Sequence, residues 1–389
     1  MYKNLRDDAM GISGALDGIR IIDLSRVLSG PFCTQILADH GASVLKVEPP
    51  SGDETRTWGP PFNGGTASYY RGVNRNKFGV SLDLSTECGK ERLLTLLKDA
   101  DVLVENFKTG SMDRWGLGYA RLSHEFPRLI YCNISGFGAD GPLGGLPGYD
   151  AAVQAMSGIM SINGEAGGPP TRVGIPIIDL VTGFNSAIGI LLALQDRSRS
   201  GLGQLVNVSL FDSALSILHP HAANYFASGA NPSRTGNAHP NIAPYDVFPT
   251  LTVPIFLAVG NDRQFRTLCD VLSDSELASD PRFGGNKARS INREELKERL
   301  IALMSTHRGE ELSVRLMKAG VPASGVLGVS AALQHAHTSH SEMIVDLEEY
   351  RGIASPIKLR RTSPTYRMPP PKFREHQAKV ESLDISDEK

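Results

Sequence analysis

A chain of 389 residues, 41% hydrophobic and 21% charged, has the composition of a globular protein and the length for two hydrophobic cores. A formal charge of −2 excludes the basic excess of a general nucleic-acid binder. Four cysteines, Cys33, Cys88, Cys132 and Cys269, form no CxxC pair, which excludes a zinc-ribbon spacing and a disulfide framework and points to a reducing, cytoplasmic setting. The opening residues mix Lys3, Arg6, Asp7 and Asp8 without an apolar run, so no secretory signal is read there.

Ile19, Ile21, Ile22 and Leu24 predict a largely buried strand. A turn at Ser29-Gly30-Pro31, a helix over 32–40 stopped by Gly41, and a second strand over 44–47 follow. Units of this strand–helix–strand kind build parallel sheets. The turn holds one glycine where a dinucleotide cradle needs three, which argues against NAD. A loop rich in Gly, Pro and Trp spans 51–73. Beyond Asn74-Arg75-Asn76-Lys77 the pattern predicts a strand over 79–84, a helix over 87–97 and a strand over 102–104. A short helix bearing Asp113, Arg114 and Trp115 and a strand over 129–134 come next. Gly136-Phe137-Gly138-Ala139-Asp140-Gly141 matches GxGxxG, but Pro142 and Gly144-Gly145 stand where a phosphate-binding helix should begin. The stretch reads instead as a glycine-rich substrate loop. Gly148-Tyr149-Asp150 opens a helix running to Met156.

The segment 169–195 is the one around which the chain is organised. Asp179 follows an apolar approach of Val173, Ile175, Ile177 and Ile178 and precedes a small and aliphatic stretch from Leu180 to Leu194. That stretch predicts a buried core helix; it is short for a membrane span and carries Asn185 and Ser186. Asp179 then sits at the helix N-terminus, where orphan N–H groups and the macrodipole favour a carboxylate. Held ionised with little else polar nearby, it is a candidate nucleophile. A plain helix cap is the competing reading.

A strand over 204–210 and a helix over 211–218 follow, and the composition changes near residue 222. Residues 227–246, crowded with Gly, Pro, Asn and Ser, mark a domain crossing. From Pro254 a new unit is predicted, with strands over 255–259 and 321–326 and helices over 262–272, 293–305 and 309–318. The expected architecture is α/β: a Rossmann-like large domain with a parallel sheet over 1–224, a smaller α/β domain over 225–335, and a segment 336–389 returning to the large domain. The basic, proline-rich tail from Leu359 is expected to wrap over another part of the molecule.

Several stretches, in order, resemble one family, the class III coenzyme A transferases. They are Asp23-Leu24-Ser25-Arg26-Val27 with Gly30-Pro31; Lys46-Val47-Glu48-Pro49-Pro50 with Gly52-Asp53; Asn74-Arg75-Asn76-Lys77; and Val104-Glu105-Asn106-Phe107 with Arg114-Trp115-Gly116. Ser135-Gly136-Phe137-Gly138, Pro147-Gly148-Tyr149-Asp150 with Gln154, Asp179 with Thr182-Gly183, and Gly201 to Asp212 complete the set. The resemblance covers most of 16–330 and extends in part to Pro369–His376.

The resemblance implies CoA transfer from an acyl-CoA, with succinyl-CoA as default donor, to a small carboxylic acid. Asp179 would be the nucleophile, passing through anhydride and aspartyl-thioester intermediates, with oxyanion donors expected from the loop 136–141. It places Arg26, Lys77, Lys108 and Arg114 on CoA-contacting loops, and Val27, Phe137, Gly138 and Tyr149 within substrate- or CoA-binding motifs. It implies an interlocked homodimer and no resident cofactor, coenzyme A being a substrate; no membrane or nucleic-acid partner is expected. A related branch, the alpha-methylacyl-CoA racemases, uses a Gly-His-Asp motif. Here Tyr149 replaces that histidine, and a phenol with an ordinary pKa near 10 is a poor base. No run of consecutive glycines occurs between 225 and 262, which disfavours formyl and oxalyl substrates. His335, His337 and His340 have no cysteine nearby and read as loop histidines, not metal ligands. Asp150 and His239 are further candidates to line the site.

Overall fold

The computed structural model describes residues 14–382. The opening stretch Lys3 to Asp8, read above for a secretory signal, lies outside them. The chain forms two compact units. The first takes in the residues up to Ile159, Val173–Ala223 and the chain from Ala336 onward; the second takes in Met160–Arg172 and Asn224–His335.

The first unit opens with β1 (Arg20–Asp23), α1 (Ser29–Asp39), β2 (Ser43–Glu48), β3 (Lys77–Ser81), α2 (Glu87–Leu97) and β4 (Val102–Glu105). It continues with β5 (Ile130–Ser135), α3 (Asp150–Met156), α4 (Ile177–Ser200), β6 (Leu205–Ser209) and α5 (Leu210–Ser216). The strands form one parallel sheet in the order β3-β2-β1-β4-β5-β6. Both faces are covered, which is why the central strands β1 and β4 carry apolar runs with little alternation. Ile22, Leu45 and Leu103 pack with Leu93, Leu96 and Leu97 of α2 on one face. Ile21, Val44 and Val102 pack with Cys33 and Leu37 of α1 and Ala187 and Ile190 of α4 on the other. The strand order reverses between β1 and β4, so the loops leaving their carboxyl ends diverge and open a crevice where doubly wound sheets bind ligands.

The structure corrects three local expectations. The strand predicted over 79–84 lies at Lys77–Ser81, because Lys77 is neutralised inside the fold and not left in a loop. The loop 51–73 contains a 3-10 turn at Glu54–Thr57, a two-strand ribbon and a short helix at Ser68–Arg71. The helix α4 is buried on one side only. Ile178, Ser186, Ala187, Ile190 and Ala193 are buried, whereas Phe184, Ile188, Leu191 and Leu192 are exposed, Leu192 by 66%. Small residues let that inner side approach the sheet and α1 closely, which puts the bulky aliphatics outside. Among the described residues α4 is also the one helix long and apolar enough to cross a membrane.

The second unit contains β7 (Tyr245–Phe248), β8 (Ile255–Ala258), α6 (Asp262–Leu272), α7 (Arg293–Met304), α8 (Gly309–Lys318) and β9 (Ala323–Gly325). Its sheet is antiparallel, β9-β8-β7, and Phe248, Leu257, Phe265, Leu268, Leu300 and Leu316 form its core.

The chain from Ala336 adds a hairpin, Ile344–Leu347 with Tyr350–Ile353, and then runs along β3. Asn76 Oδ1 accepts from the N–H groups of Arg367 (2.7 Å) and Met368 (3.1 Å). The Gly79 N–H donates to His376 Nδ1 (3.1 Å) and the Ser81 N–H to Gln377 Oε1 (2.8 Å). The free edge of β3 is thereby covered by side chains and backbone of the tail, which removes an otherwise exposed pairing edge.

Candidate active site

A buried charge network holds the carboxyl ends of β1, β2 and β3 together. Asp23, Lys46 and Lys77 are each 0% exposed. Asp23 Oδ2 accepts from Thr34 Oγ (2.6 Å) and Lys77 Nζ (3.1 Å), and its Oδ1 accepts from the Ser25 N–H (3.0 Å). The Lys77 ammonium also donates to the Pro31 carbonyl (2.8 Å) and Asn74 Oδ1 (2.9 Å), so its three protons are used. Lys46 bonds the Ser25 carbonyl and Asp53 Oδ2. Burial alone would raise the Asp23 carboxyl, but Lys77, Lys46 and the two hydroxyls outweigh it and hold it down to about 2. Burial draws Lys77 down to about 8 despite Asp23. The network therefore ties the β1–α1 turn to the loop bearing Glu54.

The next link is Asn106, just after β4. Its Oδ1 accepts from the Arg26 N–H and its Nδ2 donates to the Arg26 carbonyl, each at 2.8 Å. This two-point clamp holds the neighbouring Val27 at φ 67°, a left-handed conformation that β-branched residues rarely adopt. Strain of that kind persists where surroundings over-determine it, and it clusters at functional sites. The loops after β1, β4 and β5 surround a cavity of about 220 Å³ at the switch point of the sheet. Arg26 to Ser29, Glu54, Asn106 to Thr109, Ile134 to Gly136, Gly145 to Tyr149, Asp179 and Leu210 line it.

Asp179 lies in the first turn of α4, at the helix N-terminus the sequence predicts, although the helix already begins at Ile177; its electrostatic setting differs from the expectation. The first-turn N–H groups of Ile178 (2.8 Å) and Asp179 (3.3 Å) are taken by Asp150 Oδ2, while Gln154 Nε2 anchors Asp150 Oδ1 at 2.6 Å. Asp150, not Asp179, caps the helix. Burial pushes the Asp179 carboxyl up, the Ser29 hydroxyl bonded to it pulls it down, and the Asp150 carboxylate adds to the rise, leaving it at about 6. It is still mainly ionised at neutral pH. Its Oδ1 accepts from Ser29, and among the described residues its Oδ2 has no hydrogen-bond partner. The Tyr69 phenol, stacked edge-on against Trp58 at 5.3 Å, is raised to about 12 by burial and by the carboxylates of Asp179 and Asp150, so it stays neutral.

The cavity thus brings together Asp179, Arg26, Val27, Lys108 and Tyr149 of the predicted residues. Arg26 stands 4.0 Å from Glu54 and lies 5.6 Å from the Phe107 ring centre. Lys108 and Tyr149 are exposed at the rim. Lys77 corrects the sequence reading: it is enclosed behind the wall, where it holds Asp23. Phe137 and Gly138 are not among the lining residues; Phe137 packs on Phe211 at 6.0 Å, and the Gly138 N–H donates to Ser135 Oγ at 3.0 Å. Arg114, exposed, donates to Ser111 Oγ at 2.9 Å. His239 belongs to the second unit and lies 5.1 Å from the Tyr245 ring. Sequence reasoning missed Ser29, Glu54, Tyr69 and the clamp formed by Asn106. Ser29 resembles an ordinary turn residue, and nothing local signals a partner 150 residues away.

Residues 16–377 match the model of a family described as CoA-transferase family III. A succinate–glutarate CoA-transferase of Agrobacterium fabrum is 41% identical over 377 residues, covering 94% of each chain. An acetyl-CoA:oxalate CoA-transferase of Acetobacter aceti is 42% identical over 348 residues, 89% of each chain. Among solved structures, a CAIB/BAIF family protein from Brucella suis has a TM-score of 0.86 at 40% identity, over 95% of this chain and 99% of that one.

The raised Asp179 carboxyl makes a stability prediction independent of any substrate. Its folded value of about 6 lies above the unfolded value near 4, so its contribution is full below about 4 and lost as pH rises through 6. Asp179→Asn should therefore melt a few degrees above the wild type at pH 8, with the gap closing at pH 5, in thermal scans at both pH values. Equal melting at pH 8, or a gap that widens at pH 5, would contradict the assignment.

Proposed function

We infer the reaction from one premise: the chain belongs to CoA-transferase family III, and CoA transfer is that family's chemistry. The proposal is that it moves coenzyme A from an acyl-CoA to a free carboxylic acid through Asp179. The Asp179 carboxylate attacks the donor thioester carbon, and the carbon–sulfur bond breaks to give an acyl-aspartyl anhydride and CoA thiolate. The thiolate attacks Asp179 Cγ, the donor acid leaves as a carboxylate, and an aspartyl thioester remains. The acceptor carboxylate then displaces the thiolate from Cγ, and the thiolate takes the acceptor acyl group, restoring Asp179. No proton need be moved in this cycle.

The single observation that carries this reading is Asp179 itself: a mainly ionised carboxylate in the switch-point cavity, one oxygen held by Ser29 and the other unpartnered among the described residues. Arg26 and Lys108 supply positive charge for the CoA phosphates, and Val27 and Tyr149 line the acyl-CoA path. Arg114, outside the cavity lining, is a further phosphate contact by the family resemblance alone. Lys77, Phe137 and Gly138 support the wall from behind. Both curated relatives named above act, by name, on dicarboxylic acids, which supports a small dicarboxylate as acceptor; succinyl-CoA as donor is supported by the first, the second being named for acetyl-CoA. The relative named for oxalate also weakens the argument against oxalyl substrates drawn from the missing glycine run. Free thiols at Cys33, Cys88, Cys132 and Cys269 fit a cytoplasmic setting.

A homodimer, interlocked as the family resemblance implies, fits the exposed face of α4. Phe184, Ile188, Leu191 and Leu192 form an exposed apolar stripe that a second copy would cover. Leu192→Glu should shift the protein towards monomer in sedimentation velocity; an unchanged dimer would remove α4 from the interface, and a monomeric wild type would refute the dimer.

The activity is tested by incubating the protein with succinyl-CoA and hydroxylamine and digesting it for mass spectrometry. A hydroxamate at Asp179 is expected, and Asp179→Ala should lose at least about a thousandfold in turnover with glutarate or oxalate as acceptor. Bound acyl-CoA with no adduct, but with solvent deuterium entering its α-carbon, would replace the transferase with a racemase.

A further inference from the structure

Ser29 is the first residue of α1, is 3% exposed, lines the cavity and donates its hydroxyl to Asp179 Oδ1. Its backbone is fixed from the other side, for a Cβ built on Gly183 would lie 2.7 Å from the Ser29 carbonyl oxygen. Gly183 is one helical turn beyond Asp179 on the same face of α4. The two helices thus meet where the hydroxyl and the carboxylate face each other, and the Lys77 bond to the Pro31 carbonyl anchors the start of α1.

The inference rests on the transferase reading. In that cycle Asp179 plays two chemical parts. In the first and last steps its carboxylate is nucleophile or leaving group, and charge develops on the substrate's carbonyl. In the two middle steps Asp179 Cγ is itself the electrophile. When the CoA thiolate attacks the anhydride at Cγ, a carbon–sulfur bond forms and the π electrons move onto the aspartyl carbonyl oxygen. Collapse of that alkoxide breaks the bond to the donor carboxylate. When the acceptor carboxylate attacks the aspartyl thioester, the same oxygen takes the charge again before the thiolate leaves.

We propose that Ser29 is a catalytic residue, the hydrogen-bond donor that stabilises this oxyanion on Asp179 Oδ1 in the two middle steps. The Ser29 proton stays on Oγ throughout, and Oδ2 is the oxygen that forms the anhydride. A donor set in place before reaction gains strength where charge develops, which distinguishes it from one that only binds the ground state. In the outer steps the same bond steadies the carboxylate and offers no help to the substrate's carbonyl. Ser29 therefore acts on one half of the chemistry.

That asymmetry makes the test specific. With Ser29→Ala and the isosteric Ser29→Cys, kcat for succinyl-CoA and a dicarboxylate acceptor should fall roughly 10- to 100-fold, with the KM for acyl-CoA changed little. Acid-quenched mass spectra should show the acyl-aspartyl anhydride accumulating at Asp179 at the expense of the aspartyl thioester. Ser29→Thr, which keeps the hydroxyl, should recover most of the rate. Wild-type kcat in both hydroxyl-free variants would overturn the proposal, as would a slow variant in which anhydride and thioester decline together. A wild type that forms no adduct at Asp179 with any acyl-CoA tested would instead defeat the transferase reading, and Ser29 with it.

Discussion

The approach of α1 to α4 at Gly183 is the contact on which the site depends. A side chain there would collide with the Ser29 carbonyl and would stand 3.0 Å from the Phe32 ring. With hydrogen alone at that position, the start of α1 lies against the first turn of α4, and a hydroxyl and a carboxylate distant in sequence become hydrogen-bonded neighbours. The sheet supplies the rest of the geometry. Its order reverses between β1 and β4, and the divergent loops leave the cavity into which Asp179 faces.

Two carboxylates near the site have opposite fates because their neighbours differ. Asp23 is enclosed with two ammonium groups and two hydroxyls, which overcome burial and keep it ionised as a strut. Asp179 has burial, one hydroxyl and the like charge of Asp150, which raise it towards neutrality while leaving it mainly ionised. A carboxylate so placed is more basic than a solvated one, and Asp179 lines a cavity whereas Asp23 is bonded to a lysine. Asp150 completes the division of labour. By taking the helix N–H groups it leaves Asp179 available for chemistry.

Legibility in the sequence followed the range of the interaction. The helices at 87–97, 262–272 and 309–318 have the predicted bounds, since amphipathic period and local caps determine them; Thr86 and Asn261 cap the first two with their side chains. The apolar run over 19–24 predicts a largely buried strand, and Arg20–Asp23 is an inner strand of the parallel sheet. The position of Asp179 near a helix N-terminus was readable from the long apolar run that follows it. Lys77 was not, because a lysine in a polar tetrapeptide looks solvated until Asp23, 54 residues earlier, is brought to it. The outward face of α4 was also hidden, because a uniformly apolar helix does not reveal which side is covered. Ser29, Tyr69 and the helix cap by Asp150 depend on contacts across the fold that no local pattern encodes.

The central claim is that Asp179 exchanges covalent bonds with both acids. Each turnover should leave Asp179 with one oxygen delivered by the acceptor, since the donor acid departs with one of its own. Turnover with an acceptor dicarboxylate labelled with oxygen-18, followed by digestion and mass spectrometry, should show the peptide containing Asp179 heavier by one labelled oxygen. An unlabelled peptide from enzyme that has demonstrably formed the acceptor's CoA ester would contradict the covalent role of Asp179.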